Sequence, residues 1–205
     1  DKAYQFDPRT LGIRLNGENK AKHLFLIEAG RRAHLVRDFP EAPKNPPQFA
    51  MLLRKHLSGG KVLAIRQHGL ERILVIDIGK GNMTYRLITE LYDDGNVVLC
   101  DETYNILKPL ASHRFKDRDV VPGVPYAMSG SDPTESKDSF TSFLKNDDRD
   151  LVRALAIGCM LGGTYAEYIC RVTGMEKTFP AKAADPEPLY TAIRSLFDRV
   201  LHERH

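Results

Sequence analysis

Apolar and polar residues alternate along 10–16 (TLGIRLN), the period of a strand with one buried face, and Asn16-Gly17 closes the run with a hairpin-type turn. Residues 22–28 (KHLFLIE) and 32–37 (RAHLVR) predict the next strand pair, turning around Gly30. The period then changes: Phe49, Leu52, Leu53 and His56 or Leu57 recur at helical spacing over 47–57. Pro46-Pro47 opens that helix and Gly59-Gly60 stops it. Strand patterns resume at 61–67, 72–78, 84–92 and 96–101, with turn signals at 79–82 and 93–96. Residues 104–126 are less regular and end in Pro122, Gly123 and Pro125. A polar stretch, 129–137, reads as a linker. Beyond it the pattern is helical, over 138–145, 149–160, 164–173 and 187–203. The last of these sets Leu189, Ile193, Leu196, Phe197 and Val200 on one face. Asp147-Asp148 offers a cap to the second helix. The expected fold class is α+β, with a β-rich two-layer domain over 1–128 and a small helical domain over 138–205.

Composition narrows the classes. At 205 residues and 42% hydrophobic, the chain can bury a core in one large domain or two small ones. Its longest apolar runs are too short to span a bilayer, and no secretory leader is legible, so no membrane partner is expected. The first residue is Asp1 rather than Met, so the expectation is a piece of a longer protein without its native start. Three widely spaced cysteines, Cys100, Cys159 and Cys170, argue against a disulfide framework and for a reducing, cytoplasmic location. No CxxC pair supports a zinc site. The net charge of +3 says little, but residues 9–72 hold thirteen Lys/Arg against five Asp/Glu, a balance that suits a polyanion or a solvated basic face.

No GxSxG, GxxxxGK[ST] or HExxH motif occurs, and the histidines show no metal-ligand spacing. No catalytic residue, metal or cofactor is expected. Two constellations remain. Leu161-Gly162-Gly163, followed by Thr164, reads as a hairpin between helices, either an ordinary corner or a place where free helix N–H groups meet phosphate. Tyr165 and Ala166 are expected to pack that helix pair. Glu71-Arg72, at the start of a strand, reads as an exposed ion pair or as a carboxylate orienting a guanidinium fork. Arg54, Lys55 and His56 occupy consecutive helical positions and fan over roughly 200°, so they cannot share one direction; Arg54 and Lys55 are the better phosphate candidates. Arg31-Arg32, and His113-Arg114 with Lys116 and Arg118, are further basic candidates, while His34 is expected to be structural.

The order of these features carries a resemblance. Residues 45–77 run from Pro-Pro through the basic helix, Gly-Gly and a strand to Leu70-Glu71-Arg72-Ile73. With 87–101 (LITELYDDGNVVLCD), 115–126 (FKDRDVVPGVPY) and 150–173, they resemble the NFACT family. Its members are ribosome-quality-control factors that hold a tRNA on a stalled large ribosomal subunit, many labelled fibronectin-binding protein A. The family places Asp-Arg where this chain has Glu71-Arg72, which keeps charge and lengthens the acid by one methylene. LGGTYAEYICRVTGM also resembles the helix–two-turn–helix of formamidopyrimidine-type DNA glycosylases, with Gly163 in place of a phosphate-binding Asn. The resemblance implies a glycosylase-like framework and a binding protein. Its partners would be tRNA and a large ribosomal subunit (rRNA) carrying a stalled nascent chain, with untemplated Ala tailing as the outcome. Glu71, Arg72, Arg54 and Lys55 would contact tRNA, and Gly162, Gly163 and Thr164 would hold phosphate. The alternatives are a glycosylase-like enzyme acting on DNA lesions and an extracellular fibronectin-binding adhesin.

Overall fold

The computed structural model describes residues 2–17, 19, 21–69, 71–114, 118–128 and 132–202, the last three without their side chains. Leu70, the Phe115-Lys116-Asp117 start of the family-like 115–126 stretch, the first three linker residues and the end of the last predicted helix lie outside it. The chain divides into two compact units. One holds residues 1–68 and 72–128; the other holds Gly69–Glu71 and 129–205.

The first unit is built on two antiparallel sheets. Strands β1 (Lys2–Gln5), β2 (Thr10–Asn16), β3 (Lys22–Glu28) and β4 (Arg32–Val36) form one, in sequential order. Strands β5 (Lys61–Gln67), β6 (Ile73–Lys80), β7 (Met83–Glu90), β8 (Asn96–Cys100) and β9 (Ile106–Pro109) form the other, again in order. The irregular 104–126 segment thus contains a strand, plus a two-residue ribbon of β10 (His113–Arg114) and β11 (Asp119–Val120). Their brevity is why no alternation announced them.

Period-2 alternation places Leu11, Ile13 and Ile27 of the first sheet against Ile76, Ile78, Leu87, Val97 and Leu99 of the second. Helix α1 (Gln48–Leu57) closes this core with Phe49, Leu53 and Leu57. Each such side chain contributes about 1.5–3 kcal/mol by leaving water. Strands β6 to β9 of the second sheet are buried on their other face too, where Ile73, Val75, Ile88, Val98, Cys100 and Ile106 pack with Val120 and Tyr126, while edge strand β5 is exposed. On that face Glu90 is buried, accepting from Tyr126 Oη at 2.7 Å and from Arg118 at 2.9 Å. Burial, then the Glu90 charge, pushes the Tyr126 hydroxyl well above its usual range.

Two turns fix the sheets to each other. Gly30 donates its N–H to the Glu90 carbonyl at 2.9 Å, and a Cβ on Gly95 would fall inside the Gly30 backbone. Gly30 and Gly95 both have positive φ, 78° and 62°. Space and conformation therefore both demand glycine.

The second unit is helical. Its elements are α2 (Lys137–Lys145), α3 (Leu151–Arg153) running into a π turn over Ala154–Gly158, α4 (Gly162–Thr173) and α5 (Pro186–His202). Part of the expected linker is ordered: Pro133–Glu135 forms a 3-10 turn, and the Ser136 side chain caps α2. The cap of α3 is Asp150, which accepts from Arg153 N at 2.9 Å, rather than Asp147-Asp148. Asp147 instead binds the backbone and guanidinium of Arg149. Phe140, Leu144, Leu151, Leu155, Ile169, Leu189 and Ile193 form the core. Cys159 and Cys170 are buried in it as thiols, as Cys100 is in the sheet. Burial pushes the Cys100 and Cys159 thiols up to about 12.

Gly95→Ala is expected to destabilise the first unit by about 2–4 kcal/mol, through overlap and left-handed strain together. Gly81 has φ 59° but open space around it, so Gly81→Ala should cost only about 1 kcal/mol. Urea unfolding of the two variants checks the contrast; equal losses would mean that the turn contact contributes nothing.

Candidate nucleic-acid interface

The β5–β6 loop spans 68–72. It is held at its base by His68 N–H to the Ile73 carbonyl (3.0 Å), and Leu91 N–H binds the Arg72 carbonyl (2.8 Å). Arg72 is exposed on a backbone that is thus fixed from two sides. Glu71 is half-buried, with Oε2 screened from solvent. The division between units falls between these residues, because Gly69–Glu71 groups with the helices. A Cβ on Gly69 would lie 3.3 Å from Asp132 and 3.4 Å from the Met160 methyl.

Met160 immediately precedes the Leu161-Gly162-Gly163 hairpin singled out in the sequence. It has φ 57°, Gly162 has φ 71°, and Leu161 between them is buried. This left-handed backbone turns the chain directly into α4. The first residues of α4 have no side-chain cap, Gly162, Gly163 and Thr164 are exposed, and nothing stands within 4 Å of a Cβ on either glycine. The helix therefore starts with N–H groups that solvent or an anion can reach. Ala166 is buried as expected, but Tyr165 is 51% exposed and does not pack the helix pair. Its position, one before Ala166, falls on the outer stripe of α4.

An open groove runs beside α4, lined by Gly163, Thr164, Tyr168, Arg171, Lys177 and Arg199 among others. Arg199 donates to Tyr168 Oη at 2.7 Å, and the Arg171 and Arg199 guanidiniums lie 5.7 and 5.9 Å from the Tyr168 ring centre. Lys177 pairs with Glu167 at 2.8 Å. No local pattern selects Tyr168 with Arg171 and Arg199, since Arg199 comes from α5.

The remaining candidates lie elsewhere. Arg54 Nε donates to the Ala3 carbonyl of edge strand β1 at 2.7 Å, and its guanidinium sits 5.6 Å from the Tyr4 ring centre. Lys55 is exposed, and its carbonyl accepts from Lys80. His56 turns inward, edge-on to Tyr85 at 5.1 Å. These three do point apart, as consecutive helical positions must. Arg31 and Arg32, at the β3–β4 turn, both bind Glu28 at 2.9 Å. His113 and Arg114 form β10, where Arg114 faces Asp119 at 3.6 Å. His34 is exposed on β4, so it has no packing role. Among the described residues, no helix is long and apolar enough to cross a membrane, and no group of three or more His, Cys, Asp or Glu is placed to hold a metal ion.

The molecule is a two-unit α+β protein, with the exposed Arg72 on a loop of the first unit and an uncapped helix start in the second as separate candidates. The chain belongs to the family of NFACT N-terminal and middle domains, whose model matches residues 1–205. It is similar to the archaeal Rqc2 homolog aRqcH of Methanocaldococcus jannaschii, at 28% identity over 100% of this chain and 33% of that protein. It is also similar to the human ribosome quality control complex subunit NEMF, at 41% identity over 57% of this chain and 11% of that protein. The chain thus spans a third or less of these relatives. Among solved structures, its fold matches the N-terminal domain of fibronectin-binding protein PavA from Streptococcus pneumoniae, with a TM-score of 0.63, 22% identity, and coverage of 99% of this chain and 80% of that one.

The His56 pKa is lowered, first by burial and then by the charges of Lys55 and Lys80. The unfolded chain therefore takes up this proton first, and stability should fall as pH drops below about 6.5. His56→Gln should flatten that slope between about pH 7 and 5. Thermal melts across this window check it; an unchanged slope would contradict the burial of His56.

Proposed function

We propose that this chain is the tRNA-engaging part of a ribosome-quality-control factor acting in the cytoplasm. The reading rests on one observation above the others: the NFACT N-terminal and middle-domain model matches the whole chain, and relatives of that family carry ribosome-quality-control names. In this reading the protein holds tRNA on a large ribosomal subunit that carries a stalled nascent chain. It supports untemplated tailing with Ala. The ribosome performs peptide transfer, so this chain supplies binding and position rather than catalysis.

Each group has a physical role in that reading. Arg72 presents its planar fork from a loop whose backbone is already fixed, so little ordering entropy is lost when it meets phosphate or a base edge. Glu71 orients that loop through its half-buried carboxylate. The amides at Gly162, Gly163 and Thr164 take a backbone phosphate at the positive end of α4, replacing a capping side chain. Lys55 and Lys80 add charge at the far end of α1, and Arg54 serves mainly to hold β1.

Arg72→Ala should lower tRNA affinity by about tenfold, the scale for loss of one bidentate guanidinium contact. The melting temperature should stay within a degree or two, because the side chain is exposed. Fluorescence anisotropy with labelled tRNA checks both the affinity and its salt dependence. Unchanged affinity would remove Arg72 from the interface.

A further inference from the structure

The first sheet has an outer face that none of the roles above uses. Ala3 points into the core, so alternation turns Lys2 and Tyr4 outward, followed by Phe6 just past the strand. The Tyr4 and Phe6 rings are parallel within 4°, with centres 6.2 Å apart. Phe39, from the segment after β4, tilts onto both at 5.5 and 5.3 Å. The trio lies over Gly12, the cross-strand partner of Tyr4, where a Cβ would come within 2.8 Å of Phe39 and 2.9 Å of Phe6. Glycine at that position is what allows the rings to lie down on the sheet. All three rings remain only half-buried.

Cations border these rings. Lys2 Nζ lies 5.4 Å from the Tyr4 ring centre and the Arg54 guanidinium 5.6 Å from it. Arg14 is paired with Lys2 in the register of β1 and β2, so it stands on the same face. Farther across, Lys22 and Arg32 share that parity. Two nearby acids are engaged: Glu28 by Arg31 and Arg32, and Asp7 by the Arg9 and Thr10 amides at 2.8 Å.

We infer that this face is a platform for unpaired nucleotides, with bases stacked on Tyr4, Phe6 and Phe39 and phosphates held by Lys2, Arg14 and Arg54. Half-exposed rings on a sheet, with cations spaced beside them, match the two halves of a nucleotide. Stacking needs a base free of its duplex, which selects single strands. The phosphates fall on the Lys2 and Arg54 side rather than near Phe39, which Asp38 and Glu41 border in sequence. The inference goes beyond the tRNA reading. It concerns another face and unpaired strands, and it can fail while that reading stands.

The test titrates the chain with fluorescent oligouridine, the matching DNA oligomer and an RNA duplex. The variant Tyr4→Leu/Phe6→Leu keeps apolar bulk and removes the rings. It should lose roughly tenfold or more in oligouridine affinity. A preference for RNA over DNA would assign the site to RNA, and equal binding would assign it to either unpaired strand; both outcomes support the platform. Unchanged affinity in the double variant, or equally tight duplex binding, would overturn it. Photocrosslinking of thiouridine-containing RNA to the unmodified chain needs no variant. Crosslinks on peptides holding Tyr4, Phe6 or Phe39 support the inference, and crosslinks confined to other peptides defeat it.

Discussion

The rest of the first unit depends on one constraint: the central strands of the five-stranded sheet, β6 to β8, are buried on both faces, while β5 at its edge is exposed. Its central strands carry apolar residues at nearly every position, with Val75, Leu87, Ile88, Val97, Val98 and Leu99 fully enclosed. Such a layer admits a charge only where that charge is matched, because an unpaired buried ion costs several kcal/mol. Glu90 meets Arg118 and Tyr126. Asp77 sits between Arg66 and Arg86, and Tyr104 joins them by accepting from Arg66 at 3.0 Å while its ring lies 4.2 Å from the Arg86 guanidinium. These pairs hold β5, β6 and β7 in register on either side of the loop that presents Arg72.

The helical unit solves a different problem. It must turn sharply twice with little chain. The π turn over Ala154–Gly158 makes one, packed tightly enough that a Cβ on Gly158 would enter the Phe143 ring. The left-handed Met160 and Gly162 make the other. The result is a helix start without a capping side chain, an unusual economy in a unit whose other helices α2 and α3 are capped by Ser136 and Asp150. A helix start of this kind leaves backbone N–H groups open to solvent or to an anion.

Regular elements were legible because their periods are strong. The strand over 10–16 and the helix ending at Leu57 fall where alternation and the Pro-Pro and Gly-Gly signals put them. What escaped was short or non-local. Strand β1 has four residues and no turn signal before it; β10 and β11 have two each. Tyr4-x-Phe6 shows the strand period in the sequence, but Phe39 joins it only through folding. The π turn inside 149–160 has no propensity signature. Of the candidate residues, Gly162 to Thr164 and Arg72 emerge exposed as their text suggested. Arg54 is drawn into holding an edge carbonyl, which no local pattern encodes.

The proposal of a tRNA partner rests on the family match over the whole chain and on the ribosome-quality-control names of its relatives, with the exposed cations and the open helix start as the groups that could meet phosphate. The most direct measurement is crosslinking and sequencing of the RNA bound to the full-length protein in cells. The expected result is enrichment of tRNA together with large-subunit rRNA. Recovery of no RNA above background would contradict it.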